Sequence, residues 1–385
     1  MIVQPMPFLI LAVITATVAV LPAIVLIGAY FWYRPSSLSV ERDSAESSVS
    51  ILVPTYNEAD IIIRKLDELV SLDYPMEKVE IVIVDSSDDS TAARVQDFFK
   101  DRTEPDLQLV IQNERQGVAA ALNEGIESAT GDIIFRTDAD SSLADDALAV
   151  SVDTLSHSNI GGVTGRQIEV LGESVVESDY RDLLSIIQMI ETYVDSTFIC
   201  HGPCFAFERE LYDPIPEDTI ADDTETGVRI CEQGYRIVMN PEIAFVESGV
   251  SGFSNRRQRK DRRAAGLLQT LFRHRDTLGK RGSYGRIVLP LNWLLLIVVP
   301  WSITVSMLSV SIAALLAFGL AGVVVPGITV LMIWIGSTER LGPLQPAYAV
   351  FDSQVSLVLG GVSLLRGSAT AVWEIDSDSR EVFRE

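Results

Sequence analysis

Ile133-Ile134-Phe135-Arg136-Thr137-Asp138-Ala139-Asp140-Ser141 is the stretch that decides the fold. A short apolar run that ends in Asp-x-Asp reads as a buried strand with carboxylates at its carboxyl end. Working outward, similar β-branched or apolar runs occupy residues 49–53, 79–84 and 107–111. Helical patterns fit residues 59–72, 91–100, 118–129 and 145–155 between and after them. Strands alternating with helices in this way predict a doubly wound, mostly parallel α/β sheet. Such sheets bind ligands outside the carboxyl ends of their strands.

Those ends are acidic. The first strand runs out through Val53-Pro54-Thr55-Tyr56-Asn57-Glu58, and the second through Val84-Asp85-Ser86-Ser87-Asp88-Asp89. Asp88 and Asp89 are expected to cap the helix that follows, as Asp often does. Capping alone does not account for carboxylates at three strand ends on one rim. No Gly-x-Gly-x-x-Gly or Gly-x-x-x-x-Gly-Lys-Ser/Thr loop follows the first strand, which removes the usual dinucleotide and P-loop readings. Hard divalent cations take carboxylate oxygens together with substrate phosphates, and Asp138-x-Asp140 offers that chemistry.

Composition narrows the partners. The 385 residues hold 53 acidic against 30 basic side chains, a net charge of -23. That field repels nucleic-acid phosphates, so a nucleic-acid partner is not expected. The acid-rich, Lys-poor balance points to a high-salt cytoplasm, such as that of a halophilic archaeon. Three cysteines, Cys200, Cys204 and Cys231, are too few and odd in number for a disulfide framework, which fits a reducing compartment. Cys200-His201-Gly202-Pro203-Cys204 has no second Cys/His pair at zinc spacing, so buried thiols are expected rather than a zinc site.

Membrane segments flank the acidic domain. Residues 1–33 contain no Asp, Glu, Lys, Arg or His and end Tyr30-Phe31-Trp32-Tyr33-Arg34, an aromatic belt followed by a cation. About 20 such residues span a bilayer, and the cation places the next segment on the cytoplasmic side. Residues 287–336 are likewise uncharged and read as two spans joined by a tight turn, kinked by Pro290, Pro300 and Pro326. Residues 256–286 carry eleven Lys or Arg against two Asp, while the rest of the chain has 51 acidic against 19 basic residues. With Leu267, Leu268, Leu271 and Phe272 at helical spacing, this segment reads as a basic amphipathic helix on the membrane surface. The expected organisation is thus an anchor over 1–33, a linker over 34–48, a catalytic domain over 49–255, the basic segment, the two spans, and a terminal region over 337–385. That last region holds one more apolar stretch, 347–365, interrupted by Asp352 and Gln354 and left open between spanning and lying in the interface.

From about residue 49 to 266 the chain resembles the inverting nucleotide-sugar transferases of the GT-A fold, family 2, a group that includes dolichyl-phosphate mannose, cellulose and hyaluronan synthases. The motifs are the Val53 to Glu58 stretch, Asp85, Arg115-x-Gly117 through Asn123, Asp138-Ala139-Asp140, Gly202-Pro203-Cys204-Phe205-Ala206 and Asp222-Asp223. The resemblance implies that Pro54, Tyr56, Glu58 and Asp85 hold the nucleoside, with Arg115 and Asn123 lining the donor pocket. Asp138 would meet the ribose and sugar, and Asp140 would ligate Mn2+ or Mg2+ on the diphosphate. Gly202, Pro203, Cys204, Asp222 and Arg262 would lie on the acceptor side, and Asp223 would be the catalytic base. A carboxylate that takes the acceptor proton during a single displacement inverts the sugar. Asp223 also opens a helix, where the macrodipole favours its ionised form, although a plain helix cap would look the same.

One motif departs. Processive members carry Gln-x-x-Arg-Trp where this chain has Arg259-Lys260-Asp261-Arg262-Arg263. Arg262 keeps its place, but Arg263 replaces the aromatic. The implied activity is therefore transfer of one sugar from a nucleotide sugar, by family habit a UDP-sugar, to a lipid-linked acceptor such as a polyprenyl or dolichyl phosphate glycan. The implied location is a multi-pass protein of the cell membrane. A processive polysaccharide synthase is the alternative, and a non-catalytic membrane scaffold a further one.

Overall fold

A computed structural model describes residues 4–33, 47–171, 175–248, 253–338 and 340–371. The linker at 34–46 and the acidic tail from 372 lie outside the described residues. Strands β1 (Val49–Thr55), β2 (Val79–Asp85), β3 (Asp106–Ile111) and β4 (Ile133–Arg136) pair in parallel in the order β3-β2-β1-β4. Helices α2 (Ile62–Val70), α3 (Thr91–Phe99) and α4 (Val118–Ser128) connect them, after the N-terminal helix α1 (Met6–Tyr33).

Beyond β4 the sheet becomes mixed. The short strand β5 (Ser141–Leu143) and helix α5 (Ala147–Leu155) lead to β6 (Ile160–Leu171) and α6 (Val175–Val194). Then β7 (Phe205–Glu208) inserts antiparallel beside β4, ahead of helix α7 (Asp222–Gln233) and β8 (Arg236–Ser248). The full order is β3-β2-β1-β4-β7-β6-β8-β5, which agrees with the expected α/β class.

Period-two alternation assigns the strand residues to two faces. Ile51, Val53, Ile81, Ile83 and Phe135 pack with α2, α3 and α5. Leu52, Val82, Val84 and Ile134 pack with α4, α7 and, further along the chain, α8 (Phe253–Arg273). Leu268 and Leu271 of α8 are fully or nearly fully buried in this second core, as are Tyr284, Val288 and Leu289. The apolar face of the basic helix is therefore turned mainly to the domain rather than to lipid. Leu268 and Leu271 satisfy the same spacing either way, and the neighbouring core supplies the partner.

Among the described residues, three helical stretches are long and apolar enough to cross a membrane: Met6–Phe31, Tyr284–Ser337 and Gly342–Leu365. The 54-residue stretch is not one rod. It comprises α9 (Leu289–Trp293), α10 (Val299–Phe318) and α11 (Val324–Ser337). Wide π-helical turns at Tyr284–Val288 and Leu294–Val298 precede Pro290 and Pro300. Proline lacks an N–H and crowds the carbonyl four residues back, and a widened turn relieves both. The helix ends at Gly319, which takes φ +57, and Gly322 then packs against the Ala314 carbonyl of α10. A Cβ at Gly322 would sit 2.3 Å from that oxygen, so glycine is needed where the chain folds back.

The third apolar stretch forms α12 (Gln345–Leu365), and its polar residues face inward. Asp352 is buried and meets Arg257, and also Lys260 at 3.0 Å, both from α8. Gly360 lies against Asp261 and Ala264 of the same helix. Asp352, one of the residues that interrupt this stretch in the sequence, thus lies in its seam with α8.

Buried charges also tie α8 to α7. His274 contacts Glu232 through Nδ1 at 2.9 Å and Glu225 through Nε2 at 3.0 Å. Glu225 further accepts from Arg229 and pairs with Arg273. Burial alone would lower the His274 pKa, but the two carboxylates outweigh it and raise it to about 9. Burial alone would raise Glu225, but His274 and Arg273 hold it at about 2. A raised histidine pKa stabilises the fold below the unfolded value and loses that contribution as pH rises through the folded value. The thermal midpoint should therefore fall as pH rises from 6.5 through about 9, and His274→Gln should flatten that fall. Thermal melts of the two proteins across this range are the check, and an equal slope in both would place the titration elsewhere.

Candidate active site

Arg136 ends β4 and is buried. Its Nη2 lies 3.2 Å from Asp138 Oδ1 and 3.2 Å from Asp222 Oδ2, and its Nη1 lies 4.0 Å from Asp223 Oδ2. The strand end and the start of α7, some 86 residues later in the chain, thus meet on one guanidinium. Burial would lower the Arg136 pKa, but Asp138, Asp222, Asp223 and Glu247 together hold it above the ordinary value. Burial pushes the Asp138, Asp222 and Asp223 carboxyls upward, against the pull of Arg136. One guanidinium cannot fully neutralise three carboxylates, so a proton is easily gained there.

Asp223 is held from two sides. Gly202 N–H donates to Oδ2 at 2.8 Å, and Thr224 N–H donates to Oδ1 at 2.6 Å. Gly202 also lies flat against Arg136, where a Cβ would fall 1.3 Å from Nη1. Only glycine lets the backbone donate to Asp223 while the guanidinium passes beside it. At the other end of α7, Gly234 takes φ +101 and its N–H closes the helix on Cys231. Pro203 and Cys204 are buried behind Gly202, and burial pushes the Cys204 thiol up to about 12. His201, next to them, is lowered to about 4 by burial and contacts Gln188 of α6.

The Asp138-Ala139-Asp140 loop rests on two cations that the sequence did not single out. Arg64 donates to the carbonyls of Ala139 and Ser141 at 3.2 and 2.9 Å, and to Ser142 Oγ at 2.7 Å. Lys65, wholly buried, reaches Glu68 at 2.7 Å and Ser141 at 3.3 Å. Ser141 Oγ in turn donates to the Asp138 carbonyl at 2.8 Å. Asp140 stands half-buried on the rim with the Arg64 charge near it. Among the described residues no cluster of three His, Cys, Asp or Glu gathers as a metal cage. One rim carboxylate suits a cation whose remaining ligands come from a diphosphate and water, the usual pattern for Mg2+.

The opposite part of the rim brings Tyr56 and Arg115 together, with the guanidinium 4.0 Å from the ring centroid. Asp85 is buried and accepts from Thr55 Oγ1 at 2.7 Å and from the Ser87 hydroxyl. Asn57 takes φ 56, and its side chain accepts from Asp88 N–H, while Asp89 accepts from Thr91 N–H at the start of α3. Pro54 and Glu58 flank this turn, and Glu58 N–H donates to Thr91 Oγ1 at 2.9 Å. Asn123 is placed differently. Its amide binds both backbone groups of Ile215 and the Tyr212 hydroxyl, so it braces that loop.

On α8, Arg262 approaches Asp222 and Asp138, and burial lowers its pKa to about 10. Arg263 instead donates to both oxygens of Glu247, at 3.0 and 2.9 Å, and Arg259 joins at 3.3 Å. Burial would raise Glu247, but Arg263 and Arg259 hold it at about 2. Arg263 is therefore committed to β8, which the sequence pattern did not reveal.

Comparison with known proteins agrees with this geometry. A model described as "Glycosyl transferase family 2" matches residues 50–215, and one described as "Glycosyl transferase family group 2" matches residues 133–335, more than half of the chain. The chain belongs to glycosyl transferase family group 2. The mannosyltransferase PcManGT from Pyrobaculum calidifontis, solved in complex with GDP-Man and Mn2+, superposes with a TM-score of 0.78 at 29% identity. That match covers 93% of this chain and 99% of the other. Poly-beta-1,6-N-acetyl-D-glucosamine synthase of Staphylococcus aureus is 29% identical over 203 residues, 50% of this chain and 48% of its own. The Staphylococcus epidermidis enzyme of the same name is 28% identical over 215 residues, 53% and 51%. The chain spans about half the length of these curated relatives. The sheet is the GT-A transferase fold that the motifs implied.

Within a GT-A site, removal of Arg136 tests structure and charge together. Arg136→Met should leave three carboxylates without their common cation, costing about 3–5 kcal/mol of stability. It should also move the acid limb of the kcat/KM profile to higher pH, since all three carboxyls lose the charge that opposes their rise. A pH–rate profile of the folded variant that overlays the wild type would contradict this.

Proposed function

We propose that this protein is an inverting, divalent-cation-dependent glycosyltransferase of the cell membrane. It moves one sugar from a nucleoside-diphosphate sugar to a lipid-linked acceptor, with its catalytic domain on the cytoplasmic side. The observation that carries the reading is Asp223, aimed by two backbone N–H groups and raised by burial beside Arg136. A base works best when its pKa lies nearer the operating pH than an ordinary carboxylate does.

The steps follow from the residues. Tyr56, Glu58, Pro54 and Asp85 bind the nucleoside, with Arg115 over Tyr56 closing that end. Asp138 meets the ribose and sugar. Asp140 would hold Mn2+ or Mg2+, which would neutralise the departing diphosphate. Asp223 accepts the proton of the acceptor hydroxyl as that oxygen bonds to the anomeric carbon. The bond to the diphosphate oxygen breaks, and its electron pair leaves with the nucleotide. Gly202, Pro203, Cys204, Asp222 and Arg262 form the acceptor side. Asn123 acts indirectly through the Tyr212–Ile215 loop. The whole-length neighbour was solved with GDP-Man, which makes GDP-mannose the first donor to test beside UDP-sugars.

Asp223→Asn keeps an acceptor for one of the two N–H groups but cannot take the proton. Turnover should fall by about 10²-fold or more while donor binding persists. Asp140→Ala should lose transfer and cation-dependent nucleotide binding together. Near wild-type turnover in folded Asp223→Asn, or full activity of the wild type in excess chelator, would overturn the respective role.

The Staphylococcus aureus relative favours a second reading, a processive synthase. In this chain Arg263 replaces the aromatic of the processive motif and is held by Glu247, so no stacking face is offered there. With labelled donor in large excess, the product should remain in the lipid extract and grow by a single sugar. A ladder or polymer from the purified protein would establish the second reading instead.

A further inference from the structure

A cavity of about 370 Å³ lies between the carboxyl end of α1, α6 and the sheet. Tyr30, Ile186, Met189, Ile190, Met239 and Pro241 give it mostly apolar walls. Its size is in the range of ligand sites, roughly 300–1,000 Å³. Arg166 of β6 forms part of the wall. Its Nε is buried and has no hydrogen-bond partner, and among the described residues no carboxylate pairs with its guanidinium.

A buried donor left without an acceptor is unfavourable, so an anionic group that accepts from the Arg166 Nε would be favoured there. The carboxylate at the mouth does not serve, because Asp182 is 61% exposed and lies 3.7 Å from Arg181. The outer side of the cavity is continuous with apolar surface: Ile27 and Phe31 of α1 and Leu183 and Ile186 of α6 are all exposed. None of Asp138, Asp140, Asp222 or Asp223 lines the cavity, so its ligand is bound there without being transformed.

We propose that this cavity binds an anionic membrane lipid, with an acyl chain between α1 and α6 and the phosphate on Arg166. The inference rests on the membrane reading above and is separate from the acceptor. The charge of Arg166 selects an anionic head, and the walls select a chain; a free phosphate satisfies only the first.

The test uses the full chain purified in uncharged detergent and offered phosphatidylglycerol or phosphatidylcholine in mixed micelles. Salt at about 0.5 M screens the exposed basic segment. Native mass spectrometry counts the lipid retained. The wild type should retain phosphatidylglycerol in preference to phosphatidylcholine, and Arg166→Gln should retain about fivefold less of it, the effect of one cation near a lipid surface. Met189→Trp, which fills the cavity and leaves the charge, should also lose it. Equal retention by wild type and Arg166→Gln would overturn the proposal, as would displacement of the lipid by inorganic phosphate. If Met189→Trp does not fold, Arg166→Gln alone decides. A chain that stays soluble and monodisperse without detergent would refute the membrane reading itself, an outcome distinct from failure of the site.

Discussion

A single buried guanidinium organises the molecule. Arg136 leaves the last parallel strand and gathers Asp138 from its own loop with Asp222 and Asp223 from α7. Without it, the three carboxylates would repel one another in a partly desolvated space. With it, the antiparallel insertion of β7 and the entry of α7 are fixed relative to the parallel half of the sheet. Gly202 sits where both demands meet, giving its N–H to Asp223 and its missing side chain to Arg136. Shape and charge at the site are therefore one constraint.

The same arrangement extends outward in layers. Arg64 and Lys65 support the Asp138-Ala139-Asp140 loop from below, through its carbonyl and hydroxyl groups. The loop can thus carry negative charge at its rim while its backbone is fixed by positive charge beneath. Farther out, α8 is held by α7 through His274, by β8 through Arg259 and Arg263, and by α12 through Asp352. A segment with so many cations would repel itself in isolation, and here each group of cations faces a buried carboxylate.

Much of this was legible in the sequence. The four parallel strands were evident as apolar runs at 49–53, 79–84, 107–111 and 133–135, and the structure lengthens them by only one or two residues. Buried central strands have both faces apolar, so no alternation is needed to find them. The second half was not legible. β5 has three residues, β6 and β8 are interrupted by bulges, and α6 buries polar residues such as Gln188 and Glu191 while Leu183 and Ile186 are exposed. The carboxylates of the site could be read because Asp-x-Asp and Asp-Asp stand at element ends. Arg136 could have been noticed as the one charge in an otherwise apolar strand, but its partners lie far away in sequence. Local pattern likewise showed that Leu268 and Leu271 needed an apolar partner without showing that the partner was protein.

The shared core of α8, the Tyr284 turn and the sheet has a geometric consequence. Leu268, Leu271, Tyr284, Val288 and Leu289 pack in the same cluster as strand residues Leu52 and Ile134, so the domain, α8 and the helix that leads into the apolar segments share one packed core. On the proposed reading, Asp223 therefore works at a set height above the bilayer. Such a site behaves as a ruler: it serves hydroxyls at one distance from the lipid phosphate, and an acceptor too short or too long presents its hydroxyl to the wrong level. Selectivity for the length of the glycan already present would then arise from the anchor, independently of any contact to the sugar itself.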